Sequence, residues 1–305
     1  MSDSKLLSRH SHWRAILLAL LVTFLWSTSW VLIKIGLKAS LPAITFAGLR
    51  YSLAFVCLLP PVLMNSRHRD TIKQLSGRMW IQLMGLGLVF YTLTQGAQFL
   101  GLALLPAATL TLLLNFTPVM VALSSGVLNH ESPSHRQWIG ILLSICGAVI
   151  YFLPLHIPAG QTIGLLVALI GILANSGSAL MGRSINLHSG LSPLIVTTIS
   201  MGIGGLILLV SGAAIQGFGR LDPVQWAIIA WLAVVNTAIA FTLWNYTLRT
   251  LTAVESSIIN CTMLPQIALL AWVCLDEPLN PRQIGGIVLV AAGTLLVQLR
   301  RRPKT

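Results

Sequence analysis

The chain spells one stretch twice. Residues 109–147 read TLTLLLNFTPVMVALSSGVLNHESPSHRQWIGILLSICG, and residues 256–293 read SSIINCTMLPQIALLAWVCLDEPLNPRQIGGIVLVAAG. Each copy is an apolar helix with a proline near its middle, a loop with a glutamate, an Arg-Gln pair and a second apolar helix carrying glycine. Pro118 aligns with Pro265 at an offset of 147, and Arg136 with Arg282 and Gly147 with Gly293 at 146. Shared hydrophobicity alone does not hold an offset that constant, so the chain is an internal duplication, and a duplication fixes the architecture.

What is duplicated is membrane-spanning. The 305 residues are 55% hydrophobic and 9% charged, with a mean hydropathy of +0.84, whereas soluble domains carry about 25% charged residues. The runs Ala15–Ile33, Leu53–Met64 and Ile284–Leu299 hold no acid or base. About 20 apolar residues cross the hydrocarbon as a helix, the state in which a lipid-exposed backbone satisfies its own hydrogen bonds. Breakers and charges divide the chain into ten spans, 14–37, 41–64, 79–102, 105–128, 136–153, 161–184, 191–215, 223–248, 252–275 and 281–299. The expected fold is therefore all-α and integral to the membrane, with ten transmembrane helices in two five-helix repeats, 14–153 and 161–299. The basic, apolar N-terminus mimics a signal peptide but lacks a small-residue cleavage site and continues through Trp30, so it reads as a retained first helix.

The net charge of +12 lies beside the spans and is not interleaved with exposed aromatics, which excludes nucleic acid as the partner. Lys5, Arg9 and Arg14, then Arg67, Arg69, Lys73 and Arg78, then Arg136, Arg183 and Arg249, then Arg300, Arg301, Arg302 and Lys304 all fall on one side. Lys38, Arg220 and Arg282 fall on the other. The positive-inside rule puts both termini in the cytoplasm. Five spans per copy is an odd number, so the second copy enters the bilayer from the opposite face. That inverted arrangement is shared by many secondary transporters, whose substrate site lies near the midplane between the repeats. Cys57, Cys146, Cys261 and Cys274 lie in or at the ends of apolar stretches and read as packing residues, not a disulfide framework.

The stretch FLWSTSWVLIKIGLK (Phe24–Lys38) followed by PAITFAGLRYSLA (Pro42–Ala54) resembles the opening of an EamA-type carrier of the drug/metabolite transporter superfamily. The matching features are Trp26 beside Ser27 and Ser29, then Lys34, then Arg50. NFTPVMVAL with Glu131 and Gly140 is similar to that family's fourth and fifth helices, and the second copy repeats the similarity. The resemblance spans residues 15–299 and implies a carrier fold, with related carriers exporting amino acids, other metabolites or drugs. Two features depart from the pattern: Ser27 stands where glycine is usual, and the second copy keeps Asn175, Ser176, Ser178 and Arg183 but no counterpart of Arg50.

Polar side chains inside spans are costly and face the bundle interior. Tyr91, Thr94, Gln95 and Gln98 recur at i, i+3, i+4 and i+7, a polar stripe lining a cavity, and Trp26, Ser29, Trp30 and Lys34 approximate another. Thr111 and Asn115, Asn175, Ser178 and Gly182, Asn236, Thr237, Phe241, Trp244 and Asn245, and Ser256 and Asn260 add further candidates; Asn245 is the repeat partner of Gln98. The substrate-binding set is Trp26, Ser29, Trp30, Tyr91, Gln95, Asn115, Asn236, Trp244 and Asn245, with aromatic walls and hydrogen-bonding amides. Lys34, near a helix end, either snorkels to the interface or ties helices together. Arg50, two turns inside its span, needs a carbonyl or acidic partner and reads as a structural charge. Glu255 either caps a helix or carries a coupling proton. Pro118 and Pro265 each remove a mid-helix hydrogen bond and read as matched hinges.

The seven acids and seven histidines fall almost entirely at loops and span ends, so no metal site or catalytic dyad assembles within the membrane. Gly177–Ser184 is the nearest approach to a phosphate loop, with Arg183 where lysine is needed and no preceding strand. No enzyme chemistry, cofactor or ATP coupling is expected. The reading is a secondary transporter exporting a small organic metabolite, an amino acid or similar, across an inner (plasma) membrane by alternating access. The rival is a non-transporting scaffold or lipid-binding component whose polar residues are helix glue.

Overall fold

Glycines and capping residues set the helix pairs of this chain. A computed structural model describes residues 2–39, 41–117, 119–121, 124, 134–153, 159–219, 221–247, 250–251 and 259–298. The described residues are 88% helical, without strands. In order the helices are α1 (Ser2–Lys38), α2 (Ala43–Leu63), α3 (Ser66–Lys73), α4 (Gly77–Leu104), α5 (Ala107–Leu114), α6 (His135–Phe152), α7 (Thr162–His188), α8 (Pro193–Gln216), α9 (Pro223–Trp244), α10 (Met263–Leu275) and α11 (Pro281–Gln298). Seven are long and apolar enough to cross a membrane; Ala107–Val121, Ile259–Leu275 and Pro281–Val297 are apolar but shorter. Large apolar side chains face outward along them, among them Leu173, Val210, Ile215 and Val288, as a protein solvated by lipid requires.

The helices pack as two units. One holds residues 1–31, 107–156 and 239–305, and the other holds 32–106 and 157–238. In the first, α6 lies against α11 through glycine. A Cβ on Gly140 would sit 2.6 Å from Gly293 O, and one on Gly147 would sit 2.8 Å from Gly286 O. Residue numbers rise along α6 as they fall along α11, so the pair is antiparallel. Both helices start with the same device: Ser134 Oγ accepts from Gln137 N while Gln137 Oε1 accepts from Ser134 N, and Asn280 and Gln283 exchange the equivalent bonds at 2.8 and 2.9 Å. These reciprocal caps satisfy N–H groups left open in the first turn. Ala108, Leu112, Tyr151, Leu264, Ala268, Ile287 and Val290 form the core beside the pair. Glu277, an acid at a helix end as expected, accepts from Ala107 N at 2.7 Å and caps α5.

In the second unit α2 and α8 are antiparallel and as close. Gly48 meets the backbone of Leu209, Gly212 that of Thr45, and Gly202 the Phe55 ring. Phe46 and Phe99, both fully buried, meet edge to face at 5.1 Å. Gln216 Oε1 accepts from Ile44 N, and Gln225 Nε2 donates to Ala39 O; these bonds fasten helix ends that flank short connectors.

Three local features differ from the sequence expectation. α1 begins at Ser2, so Lys5 and Arg9 ride on a helix extended before the span. The basic stretch expected as a loop contains α3, started by Asn65 Oδ1 accepting from Arg67 N at 3.0 Å. The helical path Ile259–Leu275 is interrupted at Thr262, whose N–H turns back to Ile259 O. Pro265 supplies the reason: it has no N–H for the carbonyl four residues back. It sits in the first turn of α10, not in mid-helix. Asn115 and Phe116 make a turn at the matching place in the first copy. Pro118, its expected hinge, lies outside the described residues, as does Glu255.

Candidate functional site

The candidates fall into two sets. In the first unit Trp26 packs on Phe241 at 5.3 Å and on Trp244 at 5.2 Å between ring centroids. Ser29 and Trp30 are buried; the Ser29 hydroxyl donates to Trp26 O at 2.6 Å and stays on its own helix. Asn115 uses Nδ2 to bond Thr111 O at 2.9 Å, so its amide closes the turn that ends α5. Asn245 directly follows α9, in helix that continues to Thr247.

Beside Trp26 is a polar chain that the sequence reading left out. Ser27 Oγ lies 2.8 Å from Thr23 O and 2.9 Å from Gln266 Oε1, and Gln266 Nε2 donates to Thr262 Oγ1, which donates to Ile259 O. Gln266 follows Pro265, and Thr262 is the interrupting residue. An amide in an otherwise apolar helix was the available signal.

In the second unit the polar stripe is not on a regular helix. Gly87–Gln95 in α4 and Val234–Ile239 in α9 widen into π-helical turns. The two begin 147 residues apart, the repeat offset. Thr94 Oγ1 donates to Val89 O and Thr237 Oγ1 to Leu232 O, each five residues back, as the wide turn dictates. Such turns re-aim side chains and recur at functional sites. Tyr91 and Thr94 are buried and Gln95 half-buried, while Leu93 is 45% exposed on the outer face. Tyr51, not foreseen, ties the set together: its hydroxyl donates to Gln95 Oε1 at 2.6 Å and its ring meets Tyr91 at 5.6 Å. Asn236, fully buried, lies in the second wide turn.

Arg50 is buried in the same place. Its Nε donates to Thr237 Oγ1 at 3.0 Å, and its guanidinium carbon lies 5.2 Å from the Tyr51 ring and 6.0 Å from that of Phe99. A hydroxyl and two aromatic faces take the part expected of a carbonyl or acid. Lys34 ties its helix to the end of α4. Its ammonium donates to Leu102 O and Leu105 O at 2.6 and 2.5 Å, capping the open carbonyls at the end of α4. Lys34→Met leaves those carbonyls without the ammonium, and charged hydrogen bonds contribute about 1.5–3 kcal/mol. Thermal unfolding in detergent should show a loss of that order; a Lys34→Met protein as stable as the parent would remove the cap from the account.

The comparisons with known proteins agree in kind. The EamA-like transporter family matches twice, over residues 13–153 and over residues 162–299. The uncharacterised transporter YvbV of Bacillus subtilis (strain 168) is 27% identical over 94% of this chain and 92% of its own. The S-adenosylmethionine/S-adenosylhomocysteine transporter of Chlamydia trachomatis serovar L2 is 23% identical over 93% of this chain and 88% of its own. A protein of known crystal structure superposes with a TM-score of 0.65 at 16% identity, over 92% of this chain and 96% of that one, a likeness of fold alone.

Proposed function

The chain belongs to the EamA-like transporter family, a multi-pass membrane transporter and not an enzyme, and we propose that it is a secondary carrier exporting a small organic metabolite by alternating access of two inverted halves, 14–153 and 161–299. One observation carries the inverted arrangement. The repeat offset turns Gly140 into Gly286 and Gly147 into Gly293, and the contacts made are Gly140 with Gly293 and Gly147 with Gly286. Exchanging the copies therefore exchanges the two contacts, as a two-fold axis does. Because α6 and α11 are antiparallel, that axis lies across the helices, which is the inverted case. The matched caps and matched wide turns support the same reading. The three shorter apolar helices suit ten spans: at 1.5 Å per residue, the 17 of Ile259–Leu275 reach about 25 Å, close to the hydrocarbon thickness.

In this reading Trp26, Trp30, Tyr91 and Trp244 supply aromatic walls, and Ser29, Gln95, Asn115, Asn236 and Asn245 supply hydrogen bonds. Pro118 and Pro265 mark the places where the helices bend. Lys34 and Arg50 hold helices together. The protein sits in the inner membrane with both termini cytoplasmic, by the placement of its bases. The substrate class is an amino acid or similar. A relative named for S-adenosylmethionine and S-adenosylhomocysteine supports this, since both molecules carry an amino-acid head. The scaffold reading gains nothing from the family.

The test is counterflow in proteoliposomes. Vesicles loaded with S-adenosylhomocysteine, or with each of the common amino acids, are offered the same solute in labelled form outside. A carrier gives saturable uptake accelerated by the loaded solute. Uptake that rises linearly without saturation points to a channel, and absence of uptake for every solute returns the polar residues to helix glue.

A further inference from the structure

The second unit carries a crevice of about 290 Å³ that the transport reading does not use. Ser76, Arg78, Met79 and Gln82 line it from the start of α4, and Ser184, Ile185 and Ser189 line it from the end of α7. Several of its side chains can donate: Ser76 Oγ accepts from Met79 N and Ser189 Oγ from Leu191 N, and each hydroxyl keeps a proton to donate. Gln82 adds an amide N–H₂, and Arg78 a guanidinium with no acid in ion-pair reach among the described residues. Among the described residues no carboxylate lines the space. One cation among neutral donors suits an oxyanion, and the fork of arginine matches phosphate oxygens.

The surroundings say where that phosphate comes from. The floor is apolar: Met79 and Ile185 join the cluster of Leu83, Leu86 and Val196. One turn below Arg78 on the same helix Ile81 is 71% exposed, at the edge of the outward face that also carries Met84 and Trp80. Arg67, Arg69 and Lys73 stand exposed on α3 just before it in the chain. A cationic mouth whose rim borders an outward apolar face at Ile81, at a span end, fits an amphiphile with its head in the crevice and its tails along the helix.

We propose that this crevice binds the phosphate of an anionic phospholipid, with Arg78 as the anchoring cation. The leaflet follows from the orientation proposed above; the site itself does not depend on transport.

The full chain in detergent is titrated with short-chain phosphatidylglycerol, and bound lipid is counted by native mass spectrometry alongside the melting temperature. Phosphatidylcholine and inorganic phosphate serve as separate titrants. Arg78→Gln is compared with Arg69→Gln, a base of the same patch outside the crevice, and both side chains are exposed, so folding is retained. The expected result is phosphatidylglycerol binding that weakens about ten-fold or more in Arg78→Gln and stays near the parent in Arg69→Gln. Equal loss in both variants would mean diffuse surface attraction and overturn the site. Equal binding of phosphatidylcholine would overturn anion recognition, and saturation by inorganic phosphate at the same concentrations would overturn the lipid as its source.

Discussion

Gly286→Leu is expected to lower the stability of the protein by at least about 3 kcal/mol, the upper end of the usual cost of overpacking, while Gly285→Ala one residue earlier does no harm. At Gly286 even a Cβ comes within 2.7 Å of Gly147 O, a backbone atom that cannot turn aside. Leucine adds three more carbons beyond it, so α6 and α11 must part along their length. At Gly285 nothing among the described residues lies within 4 Å of the added carbon, and alanine is favoured over glycine in a helix by about 1 kcal/mol. Gly140, Gly147 and Gly293 share the first environment, and leucine at any of them should behave as at Gly286. Thermal unfolding of the four leucine variants and of Gly285→Ala in one detergent makes the comparison. Four variants that melt with the parent would dissolve the glycine seam, and with it the observation that carries the inverted halves.

The seam was half legible. Gly140, Gly147, Gly286 and Gly293 stand in the duplicated stretch, and their offset is plain in the sequence; which glycine meets which is not, because pairing depends on helix direction. The start of the seam could be read further, since Ser134 with Gln137 and Asn280 with Gln283 are local signals three residues apart. Non-local partners were the blind spot. Arg50 finds Thr237 across 187 residues, and Ser27 finds Gln266 across 239. Intramembrane polarity marked Arg50 as needing a partner and Thr237 as a candidate, without pairing them. Lys34 was weighed against snorkelling because its distance from a helix end says nothing about the carbonyls of α4 beside it.

The polar stripe shows how far periodicity reaches. Tyr91, Thr94, Gln95 and Gln98 were grouped on a turn of 3.6 residues, yet they begin within a wide turn that advances the chain by more. The grouping holds in burial, with Leu93 outward and Tyr91 and Thr94 inward, although the helix is not the one assumed. No residue in Gly87–Gln95 announces a π-helical turn by type. The matching turn at Val234–Ile239 was hidden for the same reason, and only the offset between them shows that the duplication kept both.

Gln95→Cys and Leu93→Cys decide whether these wide turns line a path for solute. Leu93 is 45% exposed on an apolar surface, where lipid excludes a charged thiol reagent. Gln95 is half-buried and bonded to the Tyr51 hydroxyl, on the face proposed to meet substrate and water. Each cysteine is placed in a chain without Cys57, Cys146, Cys261 and Cys274, and oriented vesicles are treated with a water-soluble thiol reagent from one side and then the other. Alternating access of two inverted halves predicts that Gln95→Cys is labelled and Leu93→Cys is not, and that a transported solute shifts the Gln95→Cys labelling from one side to the other. Equal labelling of both positions, or Gln95→Cys labelling indifferent to side and to every transported solute, would contradict it.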